Sequence, residues 1–263
     1  MTETSTLVRH AELFYVQAGY GPDLIWGHGL TQTRANEESL GLLDWSGIAA
    51  RVLRYDARGH GLSQSTPELV GYSWEELARD QLALADHLDI DHYIAAGASM
   101  GCGTALHAAV LAPHRVARLV LVIPPTGWET RAVQADQWLA TARVIESKGV
   151  EPIIAAMEET APPDPFADNA EWRNRQAAAT RSWDPKRLAL VLAGATTANL
   201  PDREQIKSIT VPSLILAWTG DPIHPVSTAE ELAELLPDAS LYLASTAAEL
   251  ATWTDRVAAF VAT

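Results

Sequence analysis

The chain has 263 residues, 48% hydrophobic and 20% charged, a balance that fills a globular core and excludes a disordered chain. Its 33 acidic against 19 basic residues leave a formal charge of −14, which repels phosphate backbones and anionic bilayers, so no nucleic acid and no membrane is expected as a partner. No apolar run reaches a membrane span, "MTETSTLVRHAELFY" lacks the basic-then-apolar order of a signal peptide, and the lone Cys102 excludes an internal disulfide or all-cysteine metal site, so a cytoplasmic compartment is expected.

Short apolar runs alternate with longer amphipathic stretches, the pattern of a mostly parallel sheet wound with helices on both faces, an α/β class. "STLVRH" and "ELFYVQA" predict an opening antiparallel pair turned at "GYGPD", with His10 in the first strand. "DLIWGHG" and "RVLRYDARGHG" are buried strands that end in glycine. "SWEELARDQLALADHL" is a helix with a Ser73–Glu76 capping box, and Leu77, Leu84 and Leu88 share its inner face. "HYIAAGAS" is a strand, "MGCGTALHAAVLAP" a helix and "ARLVLVIPP" another strand.

From about Gly127 to Ile206 the strand rhythm stops. Helical stretches such as "QADQWLATARVIESKG" and "PKRLALVLAGATTANL" are separated by breaks at Pro162, Pro163 and Pro165. Strands resume at "VPSLILAWTG" and "ASLYLAS". The division expected is a core of residues 1–126 and 207–263 and a helical cap over 127–206. Such an insertion would roof the carboxyl edge of the sheet, where open α/β sheets bind ligands, and Trp128, Trp138, Trp172 and Trp183 all fall within it.

"GASMG", Gly97–Gly101, fits G-x-S-x-G between a predicted strand and a helix. The glycines remove Cβ atoms that would clash in so sharp a bend, which holds Ser99 strained and outward. This makes Ser99 the candidate nucleophile. Together with "HGL" at His28–Leu30, "YDARGHGLS" at Tyr55–Ser63 and "GDPIHP" at Gly220–Pro225, the elbow resembles the α/β-hydrolase fold superfamily in its capped, esterase-like branch, along essentially the whole chain.

The resemblance implies a doubly wound sheet and a cofactor-free, metal-free serine mechanism. It also implies an oxyanion hole from the main-chain N–H groups of Met100 and Leu30. One such donor typically supplies about 3–4 kcal/mol of transition-state stabilisation. His28 is placed beside the pocket as a substrate-binding residue, and as a prop in the role that family members often give a histidine there. Arg58 and Asp56 brace the "RGHG" loop. Asp221, at the end of "LILAWTGD", matches the acid position, where a carboxylate would hold the base in its working tautomer.

The base does not match. The superfamily carries its histidine in a loop after the last strand, and here "LYLASTAAELATWTDRVAAF" has none. Glu249 falls nearest that place, but Thr246 and Glu249 form a T-x-x-E capping box for a helix whose face runs Leu250, Trp253, Val257 and Phe260. Of the eight histidines, His87, His92, His107 and His114 lie at the wrong edge or behind the elbow. His28, His60 and His224 sit in loops at the strands' carboxyl ends, and only His224 follows Asp221. His224 is therefore the candidate relocated base, with a pocket-wall or turn role as its competitor.

Two functions stay open on these residues. One is a serine hydrolase for a small or medium uncharged ester, lactone or thioester. The other is a hydrolase-shaped protein that binds a ligand, or guides a cyclisation or elimination, under the cap. Carbon–carbon cleavage and perhydrolysis use the same machinery. The partner expected is a small-molecule substrate. Oligomeric state has no signature in the sequence.

Overall fold

The computed structural model of the chain describes residues 3–37 and 41–263. Eight strands, β1 (Thr4–Val8), β2 (Ala11–Ala18), β3 (Asp23–Gly27), β4 (Arg51–Tyr55), β5 (Tyr93–Ala98), β6 (Val116–Val122), β7 (Ser213–Trp218) and β8 (Ala239–Ala244), form one sheet in the order β1-β2-β4-β3-β5-β6-β7-β8. The β1–β2 and β2–β4 pairs are antiparallel and all others parallel.

The central strands are buried on both faces, and the pleat sends alternate residues to opposite cores. Ile25, Leu53, Ala95, Leu119, Leu121 and Ile215 meet α1 (Trp74–His87), α2 (Met100–Leu111) and, further along the chain, the helix Val226–Leu235. Leu24, Val52, Ile94, Val120, Val122 and Leu216 face the other way, onto Trp253, Val257 and Val261 of the last helix. Helices on both faces make the sheet doubly wound, as the alternation of strand and helix patterns implies. Among the described residues no helix is long and apolar enough to cross a membrane.

The opening hairpin turns elsewhere than expected. Arg9 and His10 occupy the two turn positions, both with positive φ (44° and 70°), so His10 is outside the first strand and "GYGPD" instead links β2 to β3. Two positive-φ residues give a turn whose twist matches the strands it joins, a position that sequence rules reserve for Asn-Gly. Arg9 gains by taking it, because its guanidinium then reaches Glu76 and Asp80 on α1. Ser73 caps α1 through the Glu76 amide, while the Glu76 carboxylate turns to Arg9.

Between β6 and β7 the described chain is helical: α3 (Trp128–Lys148), α4 (Glu151–Glu159), α5 (Ala170–Arg181), α6 (Pro185–Ala195) and α7 (Arg203–Lys207). Ala142 and Ile145 of α3 pack with Leu188, Val191 and Leu192 of α6, together with Trp183 and Tyr72, into a small core of their own. Arg131 of α3 is buried and joins this unit to α1. Its guanidinium donates to the Ala195 and Ala198 carbonyls at the end of α6 and lies 4.4 Å from the Trp74 ring centre. Past β7 come α8 (Val226–Leu235), α9 (Ala247–Leu250) and α10 (Trp253–Val261). The final amphipathic stretch is thus two helices, not one, broken at Ala251–Thr252.

Candidate active site

The end of β5 runs straight into α2, and Ser99 stands at the bend with φ 51° and ψ −109°, outside any ordinary conformation of an L-residue. Glycine makes the bend possible. A Cβ on Gly101 would sit 2.0 Å from the Gly27 carbonyl oxygen, and one on Gly97 would sit 2.5 Å from the Gly101 carbonyl carbon. The Ser99 N–H is tied to the Val122 carbonyl at 3.0 Å, and the Cys102 amide donates back to the Ser99 carbonyl at 2.9 Å. Cys102 is spent behind the elbow, its Sγ within 3.2 Å of the Gly97 and Val122 carbonyl oxygens.

Ser99 is half-buried, and its hydroxyl meets a histidine. Ser99 Oγ lies 2.8 Å from His224 Nε2, and His224 Nδ1 lies 2.7 Å from Asp221 Oδ2. A carboxylate can only accept, so Nδ1 carries the proton and Nε2 is left to accept from the serine hydroxyl. Asp221 follows β7 and its last residue, Trp218, through Gly220, whose φ is 78°. The turn Asp221-Pro222-Ile223-His224-Pro225 then delivers the imidazole before Pro225 caps α8. Burial works against the Asp221 charge. Its interaction with the His224 imidazole, with hydrogen bonds from His224, the Ile223 amide and the Trp218 indole, outweighs burial and holds its pKa down to about 2.

The loop after β3 is fixed from three sides. Gly29's carbonyl faces His28 Nδ1 at 2.8 Å and accepts from the Gln32 amide at 3.0 Å. The Leu30 carbonyl lies 2.8 Å from His60 Nε2, and the Thr31 carbonyl accepts from the Trp183 indole at 2.9 Å. Met100 is the first residue of α2, so its N–H has no acceptor within the helix. Leu30 and Met100 thus belong to two well-held backbone segments beside the serine strand, β3 and β5 being neighbours.

His28 is 1% exposed, its Nε2 accepts from the Ala57 amide at 3.0 Å, and its other nitrogen faces the Gly29 carbonyl, so both ring nitrogens are engaged by the main chain. His60 is equally buried, with its rings' neighbours Arg58 and Leu30 carbonyls at 2.9 and 2.8 Å, of which the neutral ring donates to one. Asp56 accepts from the amides of Arg34 and Leu62, and Arg58 makes a two-pronged pair with buried Asp80. Glu249 caps, since its carboxylate accepts from the amides of Ser245 and Thr246.

Burial drives the pKa of His28 down to about 4 and that of His60, which also faces His28, down to about 3. Unfolded, both rings would take a proton near pH 6.5. As the pH falls below that value the unfolded chain binds protons the folded chain refuses, so stability drops until the folded rings themselves titrate. The expected result is a urea midpoint that declines steadily from pH 7 to pH 5, with about 2 kcal/mol lost for each ring. Equilibrium unfolding at several pH values checks it, and a flat profile contradicts the buried neutral pair.

A cavity of about 1300 Å³ lies beside this site and not at it. Trp45, Arg54, Phe166, Arg175 and Thr246 are among its walls, and Ser99, Leu30 and Met100 are not. Phe166 and Trp218, edge to face at 5.4 Å, stand between that cavity and His224. The sequence places Trp183 only in the helical insertion and does not single out Trp218. A tryptophan at a strand end or a helix start reads as core, and nothing in its spacing reveals which carbonyl or carboxylate its N–H will find.

A doubly wound sheet with a serine on a strained strand-to-helix bend defines the α/β hydrolases. A family model for the α/β-hydrolase fold matches residues 24–146. The 3-oxoadipate enol-lactonase 2 of Acinetobacter baylyi is 29% identical over 192 residues, covering 72% of this chain and 68% of that protein. A hydrolase from Pseudomonas aeruginosa superposes with a TM-score of 0.83 at 25% identity, over 99% of this chain and 98% of the other. The enol-lactonase of Burkholderia xenovorans gives a TM-score of 0.77 at 23% identity, over 98% and 97% of the two chains. The chain has the α/β-hydrolase fold.

Proposed function

We propose that the protein is a serine hydrolase that cleaves a small or medium uncharged ester, lactone or thioester through an acyl-enzyme on Ser99. The observation that carries this reading is the chain of contacts from Ser99 Oγ to His224 Nε2 at 2.8 Å and from His224 Nδ1 to Asp221 Oδ2 at 2.7 Å. As Oγ attacks the carbonyl carbon its proton passes to Nε2, and Asp221 stabilises the imidazolium that results. The carbonyl oxygen gains charge opposite the N–H groups of Leu30 and Met100. Collapse breaks the bond to the leaving group, which takes the proton from Nε2. Water then repeats the sequence on the acyl-enzyme and restores Ser99.

The helices of residues 127–206 act as a cap in this reading, and Trp183 ties them to the loop that carries Leu30. The competing reading, a binding or cyclising protein, drew on the missing histidine after β8. An imidazole arriving from the loop after β7 takes away that support. Ester-type bonds are preferred because the site offers one imidazole and main-chain donors, and the curated relative from Acinetobacter baylyi carries a lactonase name.

A fluorophosphonate probe tests the reading. The expected outcome is one covalent adduct per chain, located at Ser99 by peptide mass analysis and prevented by prior treatment with a slow ester substrate. An unlabelled chain at millimolar probe would sink it.

A further inference from the structure

We propose that Trp218 is a positioning residue, one that sets the carboxylate of Asp221 and, through it, the imidazole of His224. The role rests on the hydrolase reading above. It begins from a difficulty in the turn. Asp221 and His224 are three residues apart, so the same ring must face back to its own turn with Nδ1 and outward to Ser99 with Nε2. A carboxylate swings about two side-chain torsions, and the turn alone gives it few constraints.

Among the described residues three donors hold it. Oδ1 accepts from the Ile223 amide at 2.9 Å, and Oδ2 accepts from both His224 Nδ1 at 2.7 Å and Trp218 Nε1 at 2.9 Å. Ile223 and His224 belong to the turn and move with it. Trp218 is the final residue of β7, buried and fixed in the sheet, so it is the donor that references the carboxylate to the rest of the fold. Its indole has little freedom. Trp253, fully buried, stacks on it at 6.0 Å with 16° between the planes, Phe166 meets it edge-on, and its own edge is turned toward His224 at 6.1 Å. A tryptophan that merely filled space would need none of this geometry and would be replaceable by phenylalanine.

The hydrogen bond also shares the charge of Oδ2. Without it the whole charge of that oxygen faces the ring. Loss of the bond lets the ring drift from the Ser99 hydroxyl, and misplacing a reacting group in this way costs roughly ten- to a hundredfold in rate.

The experiment is Trp218→Phe, assayed with p-nitrophenyl butyrate across pH. The expected result is a fall in kcat of about ten- to a hundredfold with KM little changed, and an acid limb moved to higher pH. In an Asp221→Asn background the same substitution should cost nothing further, because the carboxylate it serves is gone. Trp253→Phe, which disturbs the stack and leaves the N–H in place, should lower thermal stability without moving the acid limb. Wild-type kcat and pH profile in Trp218→Phe, or an equal loss with and without the Asp221 carboxylate, would overturn the role. If wild type reacts with fluorophosphonate at Ser99 and Trp218→Phe is unchanged, only this role falls. If wild type does not react, the hydrolase reading falls and takes the role with it.

Discussion

Ser99→Ala is expected to reduce kcat/KM for p-nitrophenyl butyrate by about 10⁴-fold or more, to the rate left by binding and main-chain donors alone. The size follows from what is lost. Alanine keeps the bend, because the φ of 51° is imposed by the packing of Gly97 and Gly101 and not by the hydroxyl. The variant should therefore fold, bind and lack only the attacking atom, so KM or an inhibitor constant stays near the wild-type value while turnover disappears. Removing a positive-φ side chain's hydroxyl does not relieve the backbone, so thermal stability should change little. A variant that retained a tenth or more of the wild-type rate would show that the reacting group is elsewhere.

His224→Ala is the second large effect, and the more discriminating one. A histidine in the turn after β7 is the residue on which the proposed mechanism differs from the pattern the sequence resembles. The expected loss in kcat is again about 10⁴-fold, together with loss of fluorophosphonate labelling, since the hydroxyl is no longer deprotonated as it attacks. The double variant Ser99→Ala/His224→Ala should be no slower than either single one, because the two groups act as a unit. Glu249 offers no substitute: its carboxylate is occupied by the Ser245 and Thr246 amides. A near-wild-type rate in His224→Ala would remove it from the reaction and return the search for a base to the remaining loops.

Much of this architecture was legible from residues alone, for identifiable reasons. Buried parallel strands are continuous apolar runs, and the elbow needs glycine at two fixed places, so β3, β5, β6 and the bend at Ser99 could be read directly. Asp221 and His224 were readable from their place in the chain, although their mutual distance was not, because an i, i+3 spacing in a proline-bound turn leaves the ring's direction open. The opening turn was misread since Arg9 and His10 adopt positive φ without glycine, compensated by contacts with a helix some seventy positions on. The two main-chain partners of His28 were not legible, because nothing in the spacing of "HGL" shows which amide its ring will meet. The hydrogen bonds of Trp218 and Trp183 were invisible for a different reason. Each rests on one N–H, and a single donor leaves no periodicity.

Placing Asp221 and His224 within one five-residue turn has a mechanical corollary. Partners carried on separate loops part company whenever either loop breathes, and their alignment must be won back at each cycle. Here the two share one short turn that contains Pro222 and ends at Pro225, and the remaining partner is the hydroxyl on the neighbouring bend. On the proposed mechanism the segment beyond β8 carries no proton, so substitutions on its exposed residues should be tolerated by turnover far better than a comparable change between β7 and α8.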